Sequence, residues 1–175
     1  ISPEAVNANE LARLVSARGF LDAFNVQYLS GPVALSRTLA RRGLKVVRSG
    51  LRGSLLENPG RMGEAWVNYA VRPIPSEEGA LRYVLGGKFN PHREVVLEAP
   101  TARRFPARSP YPADRVEAVQ RVSPTDVTFD VRLTRPGVLV VSESAYPGWE
   151  ATVDDHRAEW LRADYLLRGV ELGPG

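Results

Sequence analysis

Val138-Leu-Val-Val-Ser-Glu-Ser-Ala-Tyr-Pro-Gly-Trp-Glu-Ala-Thr-Val-Asp154 is the stretch on which the fold turns. It opens with four apolar residues, Val138 to Val141, directly after Pro136-Gly137. A short apolar run bounded by such a turn signal reads as a buried strand. The run breaks at Tyr146-Pro147-Gly148, where Pro fixes φ and Gly supplies a backbone conformation that other residues avoid. It resumes with Trp149, Ala151 and Val153 on one face and Glu150, Thr152 and Asp154 on the other, the period of two of a half-buried strand. The expectation is strand, corner, strand, with Pro147, Gly148 and Trp149 as the structural corner. A buried Trp149 would remove about 200 Å² from water, worth at most on the order of 5 kcal/mol.

The rest of the chain downstream of about residue 115 follows the same pattern. Val116 to Val122 predicts one strand. Val127, Phe129, Val131 and Leu133 alternate with Thr128, Asp130 and Arg132 and predict a second. Asp154-Asp155 marks a hairpin turn, followed by strands at 157–161 and 165–172. Short strands with turns between them argue for a β-sandwich over 115–175. The chain stops at Leu172-Gly-Pro-Gly175, a turn signal, so one more strand is expected after it.

Upstream, residues 1–98 read as an α+β subdomain. Pro3-Glu4 suits a helix start, Leu11, Leu14 and Val15 form an apolar stripe, and Gly19 is expected to end the helix. A strand at 26–29, a helix over 33–42, and strands at 44–47, 54–57, 66–71 and 94–98 follow. Ser76 is expected to cap a short helix with Glu77 and Glu78 in its first turn and Leu81, Val84 and Leu85 facing inward. Residues 99–114, with four prolines and three arginines, read as a linker or long loop. The fold class is therefore α+β: an N-terminal α/β segment followed by a mainly antiparallel β-sandwich.

Composition bounds the function. The chain has 175 residues, 43% of them hydrophobic, enough for one domain or two small ones with a core. It has no cysteine, which excludes disulfides, thiolate metal sites and Cys nucleophiles. No apolar run approaches the roughly eighteen residues that a membrane span needs. The net charge of +3 is uneven. Residues 1–50 hold seven Lys/Arg against three Asp/Glu, and residues 137–175 hold three against seven. A basic first part can face nucleic acid or anionic lipid, but the favoured reading is the solvated face of a helix. Without aromatics interleaved among the cations there is no nucleic-acid groove, so no nucleic-acid partner is expected.

No catalytic constellation emerges. His92 and His156 lack neighbouring ligands at metal-binding spacing and read as surface residues. Asp154-Asp155 lacks the oxygen-ligand pattern of a calcium loop. Ser142-Glu143-Ser144 is not the elbow of a hydrolase, and Gly86-Gly87-Lys88 is not a phosphate loop. Glu143 and Glu150 flank the corner and would suit glycosidase work only if about 5–9 Å apart. Tyr146 and Trp149 can stack on a sugar ring or simply pack the corner. The candidate glycan contacts are thus Tyr146, Trp149 and Glu143, with no metal and no cofactor expected.

Several segments together resemble a family. Ser142-Glu-Ser-Ala-Tyr-Pro-Gly-Trp-Glu-Ala-Thr-Val-Asp154, Leu161-Arg-Ala-Asp-Tyr165 and Arg168-Gly-Val170 are similar to the C-terminal extracytoplasmic region of the YfhO-type bacterial membrane proteins. Phe24-Asn-Val-Gln-Tyr-Leu29, Leu55-Leu-Glu-Asn-Pro59, Phe89-Asn-Pro91 and Glu94-Val-Val-Leu-Glu98 match it in the same order. The chain departs from the pattern at Asp154-Asp155, where the family usually has Asp-Gly, and at Arg61-Met-Gly-Glu-Ala65. The resemblance implies a polytopic, glycosyltransferase-like parent acting on cell-envelope polymers with lipid-linked sugars. This chain would be its outer domain on the extracytoplasmic side of the bacterial cell membrane. It would not itself be catalytic, and its partners would be the transmembrane part of the same polypeptide and an envelope glycan. The alternative is a stand-alone carbohydrate-binding β-sandwich.

Overall fold

A computed structural model describes residues 17–98 and 114–175. The helix expected around Leu11, Leu14 and Val15, and all of the proline-rich segment except Asp114, lie outside them. Within them the protein is α+β and mostly β, with a sandwich-like arrangement of sheets.

The order is α1 (Arg18–Ala23), β1 (Tyr28–Gly31), α2 (Val33–Arg41), β2 (Lys45–Gly50), β3 (Gly53–Glu57), β4 (Ala65–Asn68), β5 (Val71–Pro73), α3 (Glu77–Val84) and β6 (Val95–Leu97). After residue 113 come β7 (Arg115–Ser123), β8 (Asp126–Arg132), β9 (Gly137–Ser144), β10 (Ala151–Val153), β11 (His156–Ala158), β12 (Trp160–Ala163) and β13 (Leu167–Leu172).

The main sheet runs β4-β9-β13-β12-β6-β5. All its pairings are antiparallel except β5 with β6. Its two edge strands, β4 and β5, are consecutive in the chain and separated only by Tyr69-Ala70, so the sheet must curl back on itself. That break divides the single strand expected over 66–71. The sheet also takes strands from both sides of the 99–114 segment, and one core joins them. Trp66, Ala80, Val84, Phe89, Val95, Val96 and Leu97 pack there with Val138, Val140, Ala163 and Leu167. Val138-Leu-Val-Val141 is buried between β4 and β13, as its unbroken apolar run implies.

Trp66, 7% exposed, is the tryptophan of this core. Trp149 is only half-buried and precedes β10 rather than opening it. The alternation that placed Trp149 on a strand face holds for Ala151, Thr152 and Val153 alone.

Gly19 does not end a helix. It sits in the first turn of α1, where an added Cβ would lie 2.2 Å from the Phe89 carbonyl oxygen. The glycine serves close backbone approach rather than termination. In α3 the Ser76 hydroxyl accepts the Gly79 N–H at 3.1 Å, and Glu77 and Glu78 occupy the first turn, as the capping rule requires. The inward residues are Ala80 and Val84, with Leu85 turned out. Asp154 and Asp155 have φ of +50° and +63° in a two-residue hairpin loop, the left-handed pair of a type I′ turn.

Two smaller units flank the main sheet. β1-β3-β2 carries α2 against it over Leu39, Leu44 and Leu56. β7 and β8 form a long two-stranded ribbon, with Val127, Phe129 and Val131 only half-buried. Its base is tied down by Asp114, which accepts from the Tyr69 hydroxyl at 2.8 Å and from the Thr134 N–H at 2.7 Å.

Candidate functional site

The corner after β9 lies beside the far end of the β7–β8 ribbon. The register between β9 and β13 slips at Leu167/Arg168, so that Leu167 pairs with Ser144 and Arg168 with Val141. Ser142 and Glu143 therefore form a bulge, a device that re-aims side chains near sheet ends. Glu143 is thereby presented both to Arg168 on β13 and to Arg121 on β7. Its Oε1 accepts from Arg121 at 2.7 Å, and its Oε2 accepts a short hydrogen bond from Arg168. Arg121 also lies 3.6 Å from Glu64. The hydrogen bond to Glu143 raises the Arg121 pKa above its ordinary value, so the guanidinium stays charged.

The aromatic residues complete the site. Arg168 is buried, and its guanidinium carbon stands 3.9 Å from the Trp149 ring centroid. A desolvated cation over an indole contributes about 2 kcal/mol. Tyr146 meets Trp149 edge to face at 5.8 Å. Gly148, with φ +103°, supplies the left-handed step that folds Tyr146 and Trp149 onto the same side. The Tyr146 ring remains 53% exposed. Together Arg121, Ser142, Glu143, Ser144, Tyr146 and Trp149 line an open cleft of about 700 Å³, with Ser123 and Pro124 of the ribbon as its far wall.

Among the expected contacts, Glu143, Tyr146 and Trp149 are thus brought together. Glu150 is not: it is exposed and pairs with Arg157 at 2.9 Å. Glu150 does not line the cleft, so the two carboxylates are not presented together to one ligand there. The Ser142 hydroxyl donates to the Ala23 carbonyl at 3.1 Å, so it is not held by a base. His156 lies at the β10–β11 turn, its Nδ1 2.6 Å from the Asp154 carbonyl oxygen. Among the described residues no group of three or more His, Asp or Glu is placed to hold a metal ion. The cleft offers one aromatic face, hydroxyls and a charge-balanced carboxylate–guanidinium pair. Those groups suit binding of a neutral polyol.

Arg121 and Arg168 are the site residues that the sequence reading missed. Arg168 falls in the Arg-Gly-Val segment, flanked by apolar residues and glycine, and is itself buried. Arg121 reaches the site from 22 residues away across a ribbon, and nothing local announces it.

A second polar cluster is structural. Asp22 Oδ1 accepts from Arg18 Nε and Asn58 Nδ2, each at 2.9 Å, and Arg18 also donates to Asn58 Oδ1 at 2.6 Å. His92 is exposed, yet its Nε2 stands 3.8 Å from Asp22 Oδ2 and 3.0 Å from the Gly60 carbonyl oxygen. Its carboxylate neighbour is distant in sequence, which is why local spacing gave none.

No protein-family model, curated protein or solved structure matches this chain.

Proposed function

We propose that this chain is a non-catalytic, glycan-binding domain on the extracytoplasmic side of a bacterial membrane protein of the glycosyltransferase-like, YfhO type. The observation that carries the binding role is the exposed Tyr146 ring beside a cleft lined by the Arg121–Glu143 pair, with Arg168 buried behind Glu143. A sugar presents one apolar C–H face and a rim of hydroxyls. The Tyr146 ring takes the first, and Glu143, Ser144 and Arg121 take the second.

The membrane setting is supported by the ordered likeness of the Ser142–Asp154, Leu161–Tyr165 and Arg168–Val170 segments to that family. On this reading the partners are the transmembrane part of the same polypeptide and an acceptor glycan of the cell envelope, and no cofactor is required. The test of the setting is the reading frame upstream of Ile1. A series of apolar helices of about twenty residues each supports it. A frame without them removes the membrane parent and leaves the stand-alone carbohydrate-binding module, which the same exposed Tyr146 supports.

A further inference from the structure

The β1-β3-β2 unit carries a surface that the glycan cleft does not use. β2 is an edge strand, and every residue in it is exposed. The β2–β3 hairpin closes through Leu51-Arg52, between the paired Gly50 and Gly53. Leu51 is 107% exposed, so none of the described residues covers its side chain. Val33, Val46 and Val47 are also exposed. Residues 28–57 contain Arg37, Arg41, Arg42, Lys45, Arg48 and Arg52 against a single acid, Glu57. Lys45 approaches Glu57 only at 4.0 Å, and none of the five arginines has an ion-pair partner among the described residues.

Bare aliphatic side chains set among unpaired cations fit one kind of surface. We infer that the β2–β3 hairpin docks on an anionic lipid bilayer, with Leu51 entering the headgroup–acyl boundary and Arg48 and Arg52 on lipid phosphates. Arginine gains from phosphate through its planar fork, and its stem covers apolar surface while the head stays wet. A nucleic acid would use the cations but gain nothing from Leu51, Val46 and Val47, and the unit exposes only Tyr28 as a stacking ring. A second copy pairing along β2 is opposed by the bulge between Val46 and Arg48 and by the repulsion of two such basic edges. The inference stands on this hairpin alone and does not rest on the glycan reading.

Co-sedimentation of the 175-residue chain with vesicles tests it. One set is phosphatidylcholine alone; the other carries about one-third phosphatidylglycerol. Binding to the anionic set should exceed binding to the neutral set by at least about tenfold and weaken as salt is added. Arg48→Ala with Arg52→Ala should lower it about twenty-fivefold, at roughly fivefold per arginine. Leu51→Ser should lower it about tenfold. The described residues leave Leu51 uncovered, so this variant keeps the native circular dichroism spectrum. Arg157→Ala, in the acidic part of the chain, should bind like the parent. Equal binding to both vesicle sets, no binding to either, or undiminished binding by Leu51→Ser would overturn the inference. So would binding a single-stranded oligonucleotide while leaving anionic vesicles untouched. Loss of glycan binding with vesicle binding intact would count against the glycan cleft alone.

Discussion

Asp164 makes the fold lose stability as pH rises from acid to neutral. The residue is completely buried at the turn between β12 and β13, with φ +47°. Its Oδ1 accepts the Val96 N–H at 2.8 Å, and its own N–H donates to the Val96 carbonyl at 2.8 Å. Its Oδ2 has no partner. Burial outweighs the single hydrogen bond and pushes its pKa up to about 8. An unfolded Asp titrates near 3.9, so between about pH 4 and pH 8 the folded state holds a proton that the unfolded state has released. Stability from this group is fully present below about pH 4 and is lost as pH rises through the folded pKa. At about 1.4 kcal/mol per pH unit, the loss reaches about 4 kcal/mol at pH 7. Asp164→Asn removes the titration. Asn keeps the acceptor for Val96 and tolerates the left-handed backbone. Its amide N–H meets the same unpartnered pocket as the carboxylic O–H it replaces, so little is lost there. Urea unfolding at about pH 5 and pH 8 should therefore show the parent losing about 4 kcal/mol and the variant losing little. A parent whose stability stays flat or rises over that range would refute the reasoning, as would an Asp164→Asn variant with the parent's slope.

Other substitutions separate core from corner. Trp66→Ala should cost about 3–5 kcal/mol in urea melts, whereas Trp149→Ala, half-buried outside the core and held chiefly by Arg168, should cost about 2–3 kcal/mol. Gly19→Ala should destabilise by at least about 2 kcal/mol in the same assay, since its Cβ would meet rigid backbone at Phe89. Ser76→Ala should lower the thermal midpoint by removing the cap of α3, at about 1 kcal/mol.

The α+β class, the Val138–Val141 strand, the Ser76 cap and the Asp154-Asp155 turn were legible because each is fixed by local chemistry. The closed path of the main sheet was not. The break at Tyr69-Ala70 carries no Pro or Gly, and the pairing of 95–97 with 160–163 is set by Asp164 reaching Val96 across 68 residues. The same applies to the tryptophans. Alternation placed Trp149 on a strand, but which indole enters the core depends on β4 pairing with β9, which puts Trp66 opposite Val140, 74 residues away in sequence. At the site, Tyr146, Trp149 and Glu143 were legible as a corner cluster. The arginines that orient Glu143 come from two other strands, and only the folded register brings them in.

Calorimetric titration of the chain with a soluble envelope-glycan fragment, beside the Tyr146→Ala variant, tests the central claim most directly. Because Tyr146 is exposed, its truncation leaves the fold intact. The account predicts saturable heat for the parent and a loss of affinity of about tenfold or more for the variant, the worth of one aromatic stacking face. Equal affinity of parent and variant, or no heat for the parent across a panel of envelope glycans, would contradict it.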